Sequence, residues 1–213
     1  MPLVECVPNF SEGRRPKVIA AIVAAASRSA QVLDVSSDIY HNRTVVTFAG
    51  EPEPVAEAAF QAIKTAAELI DLDIHRGVHP RMGAADVVPL VPLRDISLTD
   101  CALLAYGLGQ KVGQELGLPV YLYEAAAQRP ERRNLADVRR GGYELLRAQI
   151  DLPERTPDFG PARVSGAGAV IIGAREPLIA FNAYLDTANI EVAKAIARAI
   201  RESNGGMPYL KAM

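Results

Sequence analysis

The sequence predicts an α/β (α+β) protein: a ferredoxin-like, split βαβ mixed sheet with helices on one face, followed by the opening strand and helix of a second unit. Short apolar and β-branched runs alternate with longer stretches whose apolar residues recur every three or four positions, the pattern of strands separated by amphipathic helices. Up to Val91 these elements follow one another as β-α-β-β-α-β, the split βαβ order. The 213 residues are 49% hydrophobic and 23% charged, enough to build a sizeable core without staples.

The apolar run 3–7, closed by Pro8, reads as a strand, and Asn9, Ser11 and Gly13 supply turn and cap chemistry. A helix is expected over 16–29, with Val18, Ile19, Ile22 and Val23 on one stripe among alanines. A strand over 31–35, a polar connection over 36–42 and a β-branched strand over 43–49 come next. The helix expected over 54–70 places Val55, Ala58, Ala59, Ala62, Ile63, Ala66, Leu69 and Ile70 on one face. After a loop of His, Arg, Gly and Pro, the nearly all-apolar stretch 86–91 reads as a buried strand. A helix over 98–116 stops at Gly117 and Pro119, and the strand 120–123 that follows is parallel if that helix is a crossover. Residues 125–158 are charged and partly helical, and the five arginines between Arg129 and Arg140 are expected on a solvated helix face. A Gly/Pro/Ala loop over 159–168 leads into a strand at 169–172. From 176 a strand over 178–184 and an amphipathic helix over 190–200 read as a new unit, so the expected domains are 1–175 and 176–213. That strand and helix alone leave apolar faces to cover, which predicts a dimer or larger species.

Composition excludes several classes. Lys and Arg total 23 against 25 Asp and Glu, so there is no global basic field for nucleic acid. Neither a signal peptide nor an apolar run of membrane-spanning length is present, which predicts a cytoplasmic protein with no membrane partner. Cys6 and Cys101, the only two cysteines, are far apart and read as buried small hydrophobes. His75 and His79 stand four apart, but Gly77 and Pro80 rule out the helix that a zinc-binding HExxH pair needs, so no metal is expected.

Three stretches carry the candidate chemistry. The loop Ile74–Asp86 places two His, two Arg and an Asp between a helix and a buried strand, and Pro80 restricts His79 so that one imidazole can be aimed. His75 in the same loop is expected to be solvated. His41-Asn42-Arg43, after Asp38, offers a base, an amide and a cation, although a hairpin-like turn with a left-handed Asn explains each residue singly better than a functional role does. The third stretch joins Pro157-Asp158-Phe159-Gly160-Pro161 to Ser165-Gly166-Ala167-Gly168-Ala169, small residues that permit close backbone approach to a flat ligand.

These residues fall into longer motifs: Val4-Glu-Cys-Val-Pro-Asn-Phe-Ser-Glu-Gly13, Asn42-Arg43-Thr44-Val45, His79-Pro-Arg-Met-Gly83 with Asp86, Pro119-Val-Tyr-Leu-Tyr123, Pro157-Asp-Phe-Gly-Pro161 and Gly173-Ala-Arg175 followed by Leu178-Ile-Ala-Phe-Asn182. With them, in this order along nearly the whole chain, the sequence resembles the formiminotransferase domain family of glutamate formiminotransferase and formiminotransferase-cyclodeaminase. The resemblance implies transfer of a formimino group from N-formimino-L-glutamate to N5 of tetrahydrofolate, a step of histidine breakdown. Tetrahydrofolate is then a co-substrate, and no tightly bound cofactor is expected. It implies two α/β subdomains with folate between them, while the uncovered surface of the tail is what argues for a homodimer or other homo-oligomer. The family's catalytic histidine falls on His79. Its folate-contacting stretch falls on Gly160, Pro161, Ala162, Arg163, Val164, Ser165, Gly166, Ala167, Gly168 and Ala169. An aspartate implicated in mammalian members falls on Ser36, and Asp38 is the candidate replacement. Asp86 or Asp38 would support the cationic transition state, and Arg43 and Arg81 would orient substrate carboxylates. Family members carry a complete second subdomain, of which this chain holds the opening strand and helix. Low transferase activity is therefore expected, and a folate-binding module or partial subunit without turnover stands as the alternative.

Overall fold

The computed structural model describes residues 1–179 and 183–212. The chain divides into two compact units, 1–177 and 178–213.

The first unit is built on one mixed seven-stranded sheet. Its strands are β1 (Leu3–Cys6), β2 (Asn9–Phe10), β3 (Gln31–Asp38), β4 (Arg43–Gly50), β5 (Ala85–Arg94), β6 (Val120–Glu124) and β7 (Val170–Ala174). Its helices are α1 (Pro16–Ala26), α2 (Pro52–Leu69), α3 (Leu98–Lys111), α4 (Leu135–Val138) and α5 (Gly142–Gln149). β1 and β2 occupy one lane between β4 and β5, antiparallel to both. The single strand expected over 3–7 is thus the first piece of a broken one. Pro8 has no N–H for a central ladder, so the chain steps out and re-enters. β3 pairs outside β4, while β7 and then β6 extend the other side parallel to β5. The expected parallel strand β6 lies one lane away from β5, and β7 fills the gap.

The register between β2 and β5 breaks where the site begins. Asn9 faces Val87 but Phe10 faces Ala85, leaving Asp86 as the extra residue of a bulge. A bulge takes a side chain out of the ladder's alternation and re-aims it.

Two cores follow from the strand period. Phe10, Val46, Phe48, Val88 and Leu90 point to one face and pack with Ile22, Val55, Ile63, Cys101 and Leu108 of the three long helices. Each such Phe, Leu or Ile contributes about 1.5–3 kcal/mol by burial. Val87, Tyr121, Tyr123 and Ile171 point to the other face and meet Met82, Val138, Leu146 and Ile150. The parallel half is therefore covered on both faces, which is why 86–91 reads as a continuous apolar run. α3 begins with a capping box in which the Ser97 hydroxyl accepts from Asp100 N at 3.1 Å and Ser97 N donates to Asp100 Oδ2 at 3.1 Å. The helix expected to reach 116 ends at Lys111, passes through a wider turn over Val112–Leu116 and stops at Gly117, φ +62°.

The arginine-rich segment departs from expectation. Arg133 and Arg140 are exposed, but Arg132 is buried, 2.7 Å from Asp158 Oδ1 and stacked 4.9 Å from the Tyr121 ring centroid. The segment folds as short turns over β6 instead of one long helix, so its arginines do not share a solvent face.

Gly168 sits at φ +73°, and a Cβ there would lie 2.2 Å from Met82 O. Gly168→Ala is expected to cost about 1–3 kcal/mol from the backbone conformation alone, with the clash added, read as a lowered urea midpoint. An unchanged midpoint would mean that the 82–84 and 166–169 segments do not pack this closely in solution.

In the second unit, α6 (Ile190–Ile200) spans the expected helix. Asn189 Oδ1 caps it by accepting from Glu191 N at 3.0 Å. The chain then folds back through Gly205, φ +80°, with Met207 N donating to Ile200 O at 2.9 Å. Residues 180–182 of the expected strand 178–184 lie outside the described residues, and its described residues carry no strand. Among the described residues no helix is long and apolar enough to cross a membrane.

Candidate active site

The site is assembled from the β3–β4 turn, the loop between α2 and β5, the β5 bulge and α4. Asn42 is the hub of the turn. It adopts φ +51°, a conformation in which Asn is enriched, and its side chain accepts from Gly13 N at 2.9 Å and donates to Arg76 O at 3.0 Å. Gly77 presses so closely on this turn that a Cβ would lie 2.3 Å from His41 O.

His75 is buried, not solvated as expected. Its Nε2–H donates to Asn42 O at 3.0 Å and its Nδ1 accepts from Arg81 Nε at 3.1 Å. A carbonyl accepts only and a guanidinium donates only, so the pair assigns the tautomer. The sequence reading missed this because the covering turn is 33 residues away. Arg81 spends its remaining donors on Leu72 O, His75 O and Glu144, 2.9 Å from Glu144 Oε1. It braces the loop and has no fork to offer a ligand.

His79 is half-buried. Its Nδ1–H donates to Pro80 O at 2.6 Å, which leaves the Nε2 lone pair as the basic site. Burial, then the Arg43 and Arg139 guanidiniums, push its pKa down to about 4. Arg139 Nη2 lies 3.4 Å from Nδ1, 2.6 Å from Asp86 Oδ2, and also donates to Pro80 O. Asp86 Oδ1 accepts from Met82 N at 2.6 Å. Burial pushes the Asp86 carboxyl up, and Arg139, the Met82 and Gly83 amides and Arg43 pull it back. Arg43 is half-buried with its Nε shielded from solvent and without a hydrogen-bond partner among the described residues. His41 stands edge-on to His79, ring centroids 6.2 Å apart, with its Nδ1 3.1 Å from Asp38 Oδ1.

Arg43, His79 and Asp86 are thus together, Arg81 is behind them, and Asp38, the ladder partner of Arg43, turns its carboxylate to His41. His41, Arg43, His75, His79 and Asp86 border a cavity of about 10 Å³, room for one water. A cleft of about 440 Å³ opens beyond His75 and Arg81, bordered by Arg76, Tyr143, Glu144 and Arg147. Arg139 is the residue the sequence missed. It is 60 positions from His79, and no local spacing links the two.

The small-residue stretch divides in two. Gly160, Pro161, Ala162 and Arg163 are exposed. From Gly166 onward the chain is stitched to the protein: Leu72 N donates to Gly166 O at 2.7 Å, Ala84 N to Ala167 O at 2.8 Å and Ala169 N to Met82 O at 3.0 Å. Its small side chains there accommodate neighbouring backbone: a Cβ on Gly83 would lie 2.0 Å from Ala169 O.

Both depressed imidazoles give stability a direction with pH. As pH falls through 6.5, the ordinary imidazole value, the unfolded chain takes up protons that folded His75 and His79 refuse. Stability is therefore full above pH 6.5 and is lost on the way down to about 4, and His75→Gln should flatten that slope in urea titrations. An unaltered slope would place His75 in solvent.

The profile of the formiminotransferase domain, N-terminal subdomain, matches residues 3–175. The chain belongs to the formiminotransferase family. It is 52% identical over 217 residues to a glutamate formimidoyltransferase of Thermoplasma acidophilum, covering 100% of this chain and 72% of that protein. To a glutamate formimidoyltransferase of Streptococcus pyogenes it is 46% identical over 214 residues, covering 99% and 72%. To the formimidoyltransferase-cyclodeaminase of Mus musculus it is 48% identical over 207 residues, covering 96% and 38%. Every residue of the histidine–arginine cluster lies inside the matched formiminotransferase subdomain.

Proposed function

We propose that the chain transfers a formimino group from N-formimino-L-glutamate to N5 of tetrahydrofolate, with His79 as the general base and acid. The observation that carries this reading is an imidazole held neutral, its Nδ1 engaged by Pro80 and its Nε2 without a protein partner among the described residues. The relatives named glutamate formimidoyltransferase support the reaction class.

The N5 lone pair attacks the amidinium carbon as His79 Nε2 takes the N5 proton. The tetrahedral adduct then collapses, the carbon–nitrogen bond to glutamate breaks with its electron pair going to nitrogen, and that nitrogen takes up a proton. Such a positioned proton carrier contributes about 10²–10⁴-fold. Arg43, whose Nε lacks a partner among the described residues, is our choice for a substrate carboxylate, a fork that guanidinium geometry suits. Asp86 acts through Arg139 and Arg81 through His75. The exposed residues Gly160 to Arg163 are where we place the flat face of folate. We read 1–175 as the N-terminal subdomain and 176–213 as the opening of the second, and the setting as a cytoplasmic homo-oligomer.

The test is formation of 5-formiminotetrahydrofolate from both substrates by the purified chain. Turnover above the uncatalysed rate is expected. A folded chain that binds tetrahydrofolate yet yields no product would favour the second reading, a folate-binding module. The chain covers 72% of the length of those two glutamate formimidoyltransferases.

A further inference from the structure

We infer that His41 is a second proton-transfer group of this site, giving the leaving nitrogen its proton while His79 removes the one on N5, and that Asp38 aims it. The inference rests on the transferase reading and goes beyond it by dividing the proton work between two rings.

The β3–β4 turn is built to hold His41. Asp38 Oδ1 accepts from Tyr40 N at 2.8 Å and His41 N at 2.7 Å, and lies 3.1 Å from the ring's Nδ1. With Nδ1 held against the carboxylate, Nε2 is left as the outward nitrogen. The turn is seated on the His79 loop: Val78 N donates to Tyr40 O at 3.4 Å, and Gly77 packs against His41 O. The rings then meet edge to face at 6.2 Å and 68°, both on the wall of the small cavity. Arg43, His75, Arg81 and Asp86 share that wall, and Asp38 is bonded to His41 from its own turn.

The two rings face charges of opposite sign. Cations crowd His79 and favour its neutral, basic form, whereas the His41 ring has the Asp38 carboxylate 3.1 Å from its Nδ1. Groups whose environments diverge in this way take the opposite halves of acid–base chemistry. The step balances. His79 Nε2 gains the N5 proton as the new carbon–nitrogen bond forms, and His41 Nε2 releases its proton as the old bond breaks. One proton then returns from His79 to His41, directly or through solvent, to restore the starting state.

The variants are His41→Gln and Asp38→Asn in the full chain, each first checked for an unchanged melting temperature and circular dichroism. His41→Gln should lower kcat by about 10²-fold or more with KM moved by less than about threefold. It should keep the acidic limb of the pH profile, which belongs to His79. A formimino donor with a weakly basic, aniline-type leaving nitrogen should recover most of the rate, because that departure needs little acid. Asp38→Asn should act in the same direction and abolish the His41 Nδ1–H resonance in ¹⁵N spectra, readily assigned with three histidines in the chain. Wild-type turnover together with an undiminished kcat in His41→Gln would overturn this inference alone, as would equal losses with both donors. A wild-type chain without turnover would instead overturn the transferase reading and this inference with it.

Discussion

Replacing His79 by alanine should lower kcat by about 10²–10⁴-fold while affinity for tetrahydrofolate stays near that of the parent protein. A base acts on a proton in flight and adds little to ground-state binding, so the loss belongs in kcat and not in KM. The same residue should set the acid limit. With its pKa pushed down to about 4 by burial, Arg43 and Arg139, His79 stays deprotonated and competent well below the ordinary imidazole value of 6.5. The acidic limb of kcat/KM should accordingly break near pH 4, and should vanish in whatever residual rate His79→Ala retains. A limb near 6.5 would show that the two guanidiniums do not act on the ring. Equal losses of binding and turnover would make His79 a residue that positions substrate.

Replacing Arg139 by methionine should be strongly destabilising although the residue lies outside the cores. The Arg139 side chain is 20% exposed and that of Asp86 only 4%, so the substitution strands a carboxylate shielded from bulk water, with room for one water in the adjoining cavity. Breaking such a pair from one side costs about 3–5 kcal/mol. Asp86 then gains further reason to hold its proton, and a group that binds protons better when folded makes the variant recover stability as pH falls. Urea midpoints read at several pH values measure both effects. Adding Asp86→Asn should restore part of the loss, because the orphaned charge is gone. Removing the guanidinium also withdraws one of the two cations that depress His79, so the acidic limb should rise toward 6.5. A loss below about 1 kcal/mol, the range of exposed pairs, would mean that the Arg139–Asp86 contact is solvated.

The fold was largely legible because its signals are local. α2 and α6 announce themselves by period, and β4 by a β-branched run between polar turns. Where reading failed, the cause was a constraint set elsewhere in the chain. Pro8 splits the first strand because its lane lies in the middle of the sheet, and centrality is not a property of residues 3–10 themselves. Arg132 looked solvated because its acid, Asp158, is remote in sequence. The glycines between Gly166 and Gly168 signalled close approach correctly, but the approaching group is the backbone of 82–84 and the side chain of Asp71. The loop carrying His79 stood out because His, Arg and Asp concentrated between Gly and Pro have no scaffold role that spacing explains.

By itself the sequence determined most of the strands and helices and the family, and it singled out the histidine on which we place the chemistry. Periodicity, turn residues and long motifs are all written in neighbouring positions. Only the tertiary structure decided the charge environment of that histidine. Arg43 reaches it from β4, Arg139 from beyond β6, and Asp86 from a bulge that exists because β2 and β5 pair out of step. Coulombic and desolvation effects depend on distance and burial in space, and neither can be computed along a chain before it folds.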